Sequence, residues 1–324
     1  MEVKPFKTIE AQVDLLASRG LALDKDEVAR WLRNVGYYRL SGYWYPYRLE
    51  TGQPGATRLS TLEPGTTFET VARLYEFDRK LRTLIHDGME RIEVALRSHT
   101  SYRIGEHGPL DYRDASLFRP NFDHSGWMAT ARRRIARAKR HSEPIKHHEA
   151  RYGGDLPIWV LTEVLDFADV SKLFSGLRTQ EQWQIAETLG VRIDLSSLSR
   201  NQRFKAKKLH PLARWFEQLT VLRNTCAHHA RVWNRSFTPV STTGLRTIEE
   251  LYSLPEGQSE RPYGALTLMA FLLQVTSPGT TWAAKVRSLI DESFVGLPSR
   301  SVAEMGFPRD WRQETLWRRP SALA

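Results

Sequence analysis

Apolar residues recur along this chain at intervals of three and four far more often than at intervals of two, which predicts helices and almost no strands. Ile9, Val13 and Leu16 mark a first helix, closed by Gly20. Asp24 and Glu27 form a capping box ahead of Val28, Trp31, Leu32 and Val35, and Gly36 ends that helix. Thr66 with Glu69 caps a longer segment whose stripe runs Val71, Leu74, Leu81, Ile85, Ile92 and Leu96. That segment reaches about Ile104, roughly 40 residues or ~57 Å at 1.5 Å per residue, unless Gly88 bends it.

Further along, Gly105–Ser125 reads as a loop with Pro109 and Pro120, and Trp127–His141 as a basic amphipathic helix. Pro157 suits the first position of a helix carrying Ile158, Leu161 and Leu165. Thr179 with Gln182 caps another, stopped by Gly190, and Pro211 opens a helix through Trp215, Leu219, Leu222 and Cys226. Ser236–Tyr263 is loop-rich, Ala265–Val275 is a buried helix and Thr281–Ile290 a last amphipathic one. The expected fold is all-α. It has an N-terminal helical subdomain at 1–49 and a helical domain at 50–324 with a basic insertion around 127–151; one interwoven unit is the alternative.

Composition narrows the class. The 324 residues are 41% hydrophobic and 26% charged, which excludes wholesale disorder. A single cysteine, Cys226, excludes a disulfide framework and a Cys-rich zinc module. The first twenty residues carry Glu2, Glu10 and Asp14 without an apolar core, unlike a signal peptide. The longest apolar run, Leu266–Val275, is interrupted by Thr267 and Gln274 and falls short of the ~18 residues a membrane span needs. A soluble protein of a reducing cytoplasm, with no membrane partner, is expected. Lys and Arg outnumber Asp and Glu by 47 to 37, a net +10 that points towards polyanions.

The sharpest chemical signal is Leu222-Arg223-Asn224-Thr225-Cys226-Ala227-His228-His229. Asn224 and His228 are spaced i, i+4 and share a helix face, and the long side chain of Arg223, one step aside, reaches the same side. Phosphodiester cleavage of RNA needs such a set. An imidazole takes the proton from the 2′-OH or gives one to the leaving 5′-oxygen. A guanidinium holds the phosphate and offsets its growing charge. Asn224 can orient the His228 ring, and no metal or other cofactor is called for. The bland reading is that His228 and His229 cap or line a packed helix beside Trp215 and Trp233. The bare spacing also recurs at Arg119/His124, Arg134/His141 and Arg140/His147, so it carries little by itself.

The longer run Arg223–Arg235 resembles the signature of the Abi-like (AbiD/AbiF-type abortive infection) proteins, a branch of the HEPN ribonuclease superfamily. Other blocks resemble the same family: Gly36-Tyr37-Tyr38-Arg39-Leu40-Ser41-Gly42-Tyr43, Glu90-Arg91-Ile92-Glu93-Val94-Ala95-Leu96-Arg97, Leu156-Pro157-Ile158-Trp159 and Met305-Gly306-Phe307-Pro308. The likeness runs from about Pro5 to Trp317. It implies a HEPN-type helical bundle with additional N-terminal helices, metal-independent endoribonuclease activity and a toxin role in defence against phage. By the same resemblance Arg223 and His228 take the positions of the superfamily's Arg and His, and Asn224 the polar position after the Arg.

Two basic runs supply an RNA-binding expectation. Arg132, Arg133, Arg134, Arg137, Lys139 and Arg140 lie in one, with Lys146 and Arg151 beyond; Arg203, Lys205, Lys207 and Lys208 lie in the other. Unbalanced charge of this kind favours a phosphate-tracking surface over a merely solvated face. Tyr37, Tyr38, Tyr43, Trp44, Tyr45 and Tyr47 beside Arg39 and Arg48 suit either base stacking or core packing. Glu93 and Arg97, at i, i+4, read first as a helix-surface ion pair, with Arg97 and His99 as an alternative polar cluster. His147, His148 and Glu149 lack a third ligand at a telling spacing and are not read as a metal site.

Three functional readings stand at this point: an RNA-cutting effector, an RNA-binding module that grips without cutting, and a ribonuclease silenced by a protein or small-RNA antitoxin. One chain offers a single convincing Arg–His motif, whereas in-line transesterification gains from an acid and a base on opposite sides of the phosphate. HEPN relatives commonly face two motifs across a two-fold axis. A homodimer with Arg223 and His228 of both subunits in one composite active site is therefore expected.

Overall fold

The computed structural model describes residues 3–52 and 57–318. Among these the fold is all-α, with thirteen α-helices. The first four are α1 (Ile9–Ser18), α2 (Lys25–Val35), α3 (Tyr37–Trp44) and α4 (Phe68–Gly105). There follow α5 (His124–Ala138), α6 (Glu143–Tyr152), α7 (Ile158–Leu161), α8 (Phe167–Gly176) and α9 (Thr179–Thr188). Then come α10 (Arg200–Lys208), α11 (Leu212–Ala227), α12 (Pro262–Thr276) and α13 (Trp282–Ser293). Two short strands, β1 (Val240–Ser241) and β2 (Gln258–Ser259), pair antiparallel with Val240 opposite Ser259. No described helix is long and apolar enough to cross a membrane.

The chain forms two compact units: Met1–Arg82 with Val286–Glu304, and Thr83–Lys285 with Met305–Ala324. In the first, Asp24 caps α2 by accepting from the Glu27 amide at 2.7 Å, and Gly36 separates α2 from α3 at φ 88°. Val13, Leu16, Val28, Leu40, Leu74 and Phe77 fill its core. Within that core the Tyr43 hydroxyl donates to Asp78 at 2.7 Å, and Asp78 pairs with the equally buried Arg82. Tyr43, Trp44 and Tyr47 are core residues, whereas Tyr38 is exposed.

In the second unit α12 is buried from Pro262 through Leu273, as its mostly apolar composition on every side requires. Phe216 of α11 packs edge-on against Phe167 and Phe174 of α8. The buried Gln218 amide donates to the Thr238 and Ser259 carbonyls, and the Trp215 indole N–H donates to Ser241 at 3.1 Å, so α11 holds the β1–β2 segment. Gly88 does not break α4. Its missing side chain admits Trp282, whose Nε1 lies 2.8 Å from where a Cβ would stand and donates to the Leu84 carbonyl.

Several boundaries differ from the pattern. The cap of α4 is Thr67, whose hydroxyl accepts from the Thr70 amide, while Thr66 bonds back to Glu63. Thr179 and Gln182 are no capping box: the Thr179 hydroxyl donates to Lys208, and buried Gln182 donates to the carbonyls of Phe174, Ser175 and Leu177. The helix at Pro157 lasts one turn, passes through a 3-10 turn at Thr162–Val164 and restarts as α8 behind an Asp166/Asp169 capping box. The second basic run is itself a helix, α10, started by Ser199 and Gln202.

Candidate functional site

Helix α11 carries the motif because its two faces differ completely. Leu212, Trp215, Phe216, Leu219, Leu222 and Cys226 are all buried, while Asn224, His228 and His229 are exposed. The helix starts at Pro211, whose φ of −52° already suits it. Buried His210 supports the start: its Nδ1 accepts from the Leu212 amide at 3.2 Å, and its own amide donates to Gln182. Burial drives the His210 pKa from 6.5 down to about 3, so the ring is neutral and able to accept.

The far end of α11 is a Schellman turn. The His229 amide donates to the Cys226 carbonyl at 2.9 Å and the Ala230 amide to the Thr225 carbonyl at 3.0 Å. His229 occupies the position usually held by glycine, at φ 55°. His228 is thereby placed at the cap, its amide bonded to the Asn224 carbonyl at 3.0 Å and its ring in solvent. Trp233, just beyond, is buried. The two histidines thus do not line the core next to Trp215 and Trp233, although His228 does cap the helix through its backbone.

Arg223 and Asn224 meet: the guanidinium Nη1 donates to the Asn224 side-chain oxygen at 3.4 Å. Among the described residues this is the amide's hydrogen bond, so Asn224 is tied to Arg223 rather than to the His228 ring. Arg223 also reaches a cleft of roughly 270 Å³ lined by His86, Met89, Glu90, Glu93, Val94 and Arg97 of α4.

Glu93 and Arg97 form the ion pair their spacing predicts, yet not on the surface: their side chains are only 13% and 18% exposed. Arg97 also donates to the Leu165 carbonyl, which fixes its guanidinium between α4 and the start of α8. Burial pushes the Glu93 pKa above its ordinary value and Asp166 adds to the rise, against the pull of Arg97 and Arg223. His99 is part-buried and its pKa lowered by burial. Sequence spacing contained the Glu93–Arg97 pair but not its neighbour Arg223, because that proximity belongs to helix packing.

The basic positions divide by what already holds them. Arg132, Arg137 and Arg140 are exposed on or beside α5, as are Lys205, Lys207 and Lys208 on α10. Arg133 is exposed and donates to Thr130. Arg134 instead pairs with Asp166 and with Asp169 at 2.8 Å, fastening α5 to α8. Lys139 pairs with Glu149, and the Arg203 guanidinium donates to the carbonyls of Leu195, Ser196 and Leu198. The competing Arg–His spacings include two structural residues: Arg119 donates to Ser175, and His124 bonds the Tyr112 carbonyl. Among the described residues no group of three His, Cys, Asp or Glu side chains is placed to hold a metal ion.

A family model described as Abi-like protein matches residues 30–234, more than half of the chain. The match takes in the Gly36–Tyr43 and Glu90–Arg97 blocks, the Leu156–Trp159 turn and the whole of α11 with its C-terminal motif. No curated protein matches the chain, and no solved structure does. On the extent of that match, the chain belongs to the Abi-like protein family.

Proposed function

We propose that this protein is a metal-independent endoribonuclease of the HEPN type, acting as an abortive-infection effector in the cytoplasm of a phage-attacked cell. The observation that carries the reading is the outer side of α11, where Arg223, Asn224 and His228 stand over a packed inner face and Arg223 lines a polar cleft. Arg223 is suited to grip a phosphodiester and to balance charge on it in the transition state. The exposed His228 imidazole is suited to pass a proton to or from a reacting oxygen. Attack of the 2′-oxygen on phosphorus then yields a 2′,3′-cyclic phosphate and a 5′-OH. Asn224 supports the grip by bonding Arg223.

The exposed cations of α5 and α10 extend the reading to an RNA path along Arg132, Arg133, Arg137, Arg140, Lys205, Lys207 and Lys208. A homodimer that shares one cleft is one way to bring a second proton-transfer group to the phosphate, and an antitoxin, protein or small RNA, would keep such an enzyme silent.

Arg223→Ala and His228→Ala should each abolish cleavage of RNA by the purified protein while leaving its circular dichroism unchanged, and cleavage should survive EDTA. Mapping the product ends checks the chemistry. RNA that is bound but left intact by the unsubstituted protein would move it to the class of RNA-binding modules.

A further inference from the structure

Cleavage through the 2′-OH moves two protons: one leaves the attacking hydroxyl and one joins the departing 5′-oxygen. His228 accounts for one of them. The cleft beside Arg223 holds a second group of the right chemistry in the same chain. Glu93 projects into it from α4, one carboxylate oxygen taken by Arg97, which the Leu165 carbonyl fixes in turn. Glu93 and Arg223 line the same cleft and feel each other's charge, yet among the described residues no hydrogen bond or ion pair joins them. An anchored carboxylate and a guanidinium on one cleft are the two groups that a ribose hydroxyl and its phosphate call for.

We infer that Glu93 is the base that takes the 2′-OH proton, working opposite His228 within a single chain. The inference rests on the endoribonuclease reading above. In the step, the bond from the 2′-oxygen to phosphorus forms and the bond from phosphorus to the 5′-oxygen breaks. The hydroxyl proton passes to the Glu93 carboxylate, the His228 imidazolium gives its proton to the 5′-oxygen, and Arg223 holds the phosphate between them. The groups facing Glu93 are Arg97, Glu90 and His86 from its own helix, Arg223 from α11 and Asp166 from the cap of α8. Burial and Asp166 raise its proton affinity above that of an ordinary carboxylate, which makes it a stronger base.

Glu93→Gln keeps the volume and an oxygen for Arg97 but takes no proton. It should lower kcat at least ~100-fold, the scale of a lost general base, hold KM within about threefold and erase the acidic limb of the pH–rate profile. Glu93→Asp keeps a base on a shorter arm and should recover part of kcat and that limb; it decides the matter if the Gln variant loses its helical fold. Mixing Glu93→Gln chains with His228→Ala chains should restore no cleavage. A Glu93→Gln enzyme with unchanged kcat and pH profile, or restored cleavage in the mixture, overturns the single-chain pair. If His228→Ala is inactive in the same assay while Glu93→Gln is not, the inference fails and the endoribonuclease reading stands. If neither substitution alters cleavage, that reading fails as well.

Discussion

Glu93 and Arg223 face one cleft from two helices far apart in the sequence, and the guanidinium opposes the rise that burial imposes on the carboxyl. The pair ties the family-like block on α4 to the motif on α11, two segments that no spacing rule connects. A long amphipathic helix contributes a polar residue to the site as well as packing area.

The exposed and the fastened arginines of α5 should separate under mutation. Reversing Arg132, Arg133, Arg137 and Arg140 to Glu should weaken RNA binding and reduce the dependence of log K on log salt by roughly 0.7 for each phosphate no longer neutralised. Arg134→Ala should act on stability instead, by about 3 kcal/mol, because it strips a buried carboxylate, Asp169, of its cationic partner. Binding titrations at several salt concentrations, beside urea unfolding, measure the two effects independently.

Gly88→Ala tests the fit of Trp282 against α4. Alanine favours helix by ~1 kcal/mol over glycine. Here, however, the new Cβ would lie 2.8 Å from the indole nitrogen and 2.9 Å from the Met269 methyl. Overpacking of that kind costs about 1–3 kcal/mol, and it also displaces the bond to Leu84. A net loss of stability is expected, seen as a lower urea midpoint with an unchanged slope.

His210 should make stability fall with acid. Its pKa is held near 3 in the folded chain against an ordinary 6.5, so the unfolded chain takes up the proton first. Stability present above pH 6.5 is lost as the pH falls towards 3, at up to about 1.4 kcal/mol per pH unit. His210→Asn offers an oxygen to the Leu212 amide and does not titrate. Its unfolding free energy, measured from pH 7 to pH 4, should decline less steeply than that of the unsubstituted protein.

In the first unit, Asp78→Ala should cost about 3–5 kcal/mol by removing the carboxylate that the buried Arg82 pairs with. Asp78→Asn, which keeps an acceptor for Tyr43, should cost less. Thermal melts of the two variants give the comparison.

Much of the helical framework was legible from the sequence pattern, because α1, α2, α4, α11 and α13 bury apolar faces of ordinary width and α12 is apolar nearly all round. What escaped has physical causes. α8 and α10 are short, and their starts depend on local Asp and Ser caps rather than on long stripes. Thr179 and Gln182 have the letters of a capping box, but the Thr179 hydroxyl goes to the Lys208 carbonyl and buried Gln182 to carbonyls at the end of α8. At the site, Arg223, Asn224 and His228 were legible as a motif on one helix. The tie from Asn224 to Arg223, the fastening of Arg134 and the approach of Glu93 were not, since each is decided by how side chains settle once the helices have packed.

The left-handed residue at His229 fixes where α11 stops, and so gives the motif a phase. Each residue counted back from that stop is about 100° of rotation and 1.5 Å of rise, which makes the number of residues between Arg223 and His228 an angular setting. One alanine inserted after Thr225 would preserve every functional side chain and still turn His228 about 100° further from the side it shares with Asn224. A protein with all its chemistry present and no common direction for it would be the result.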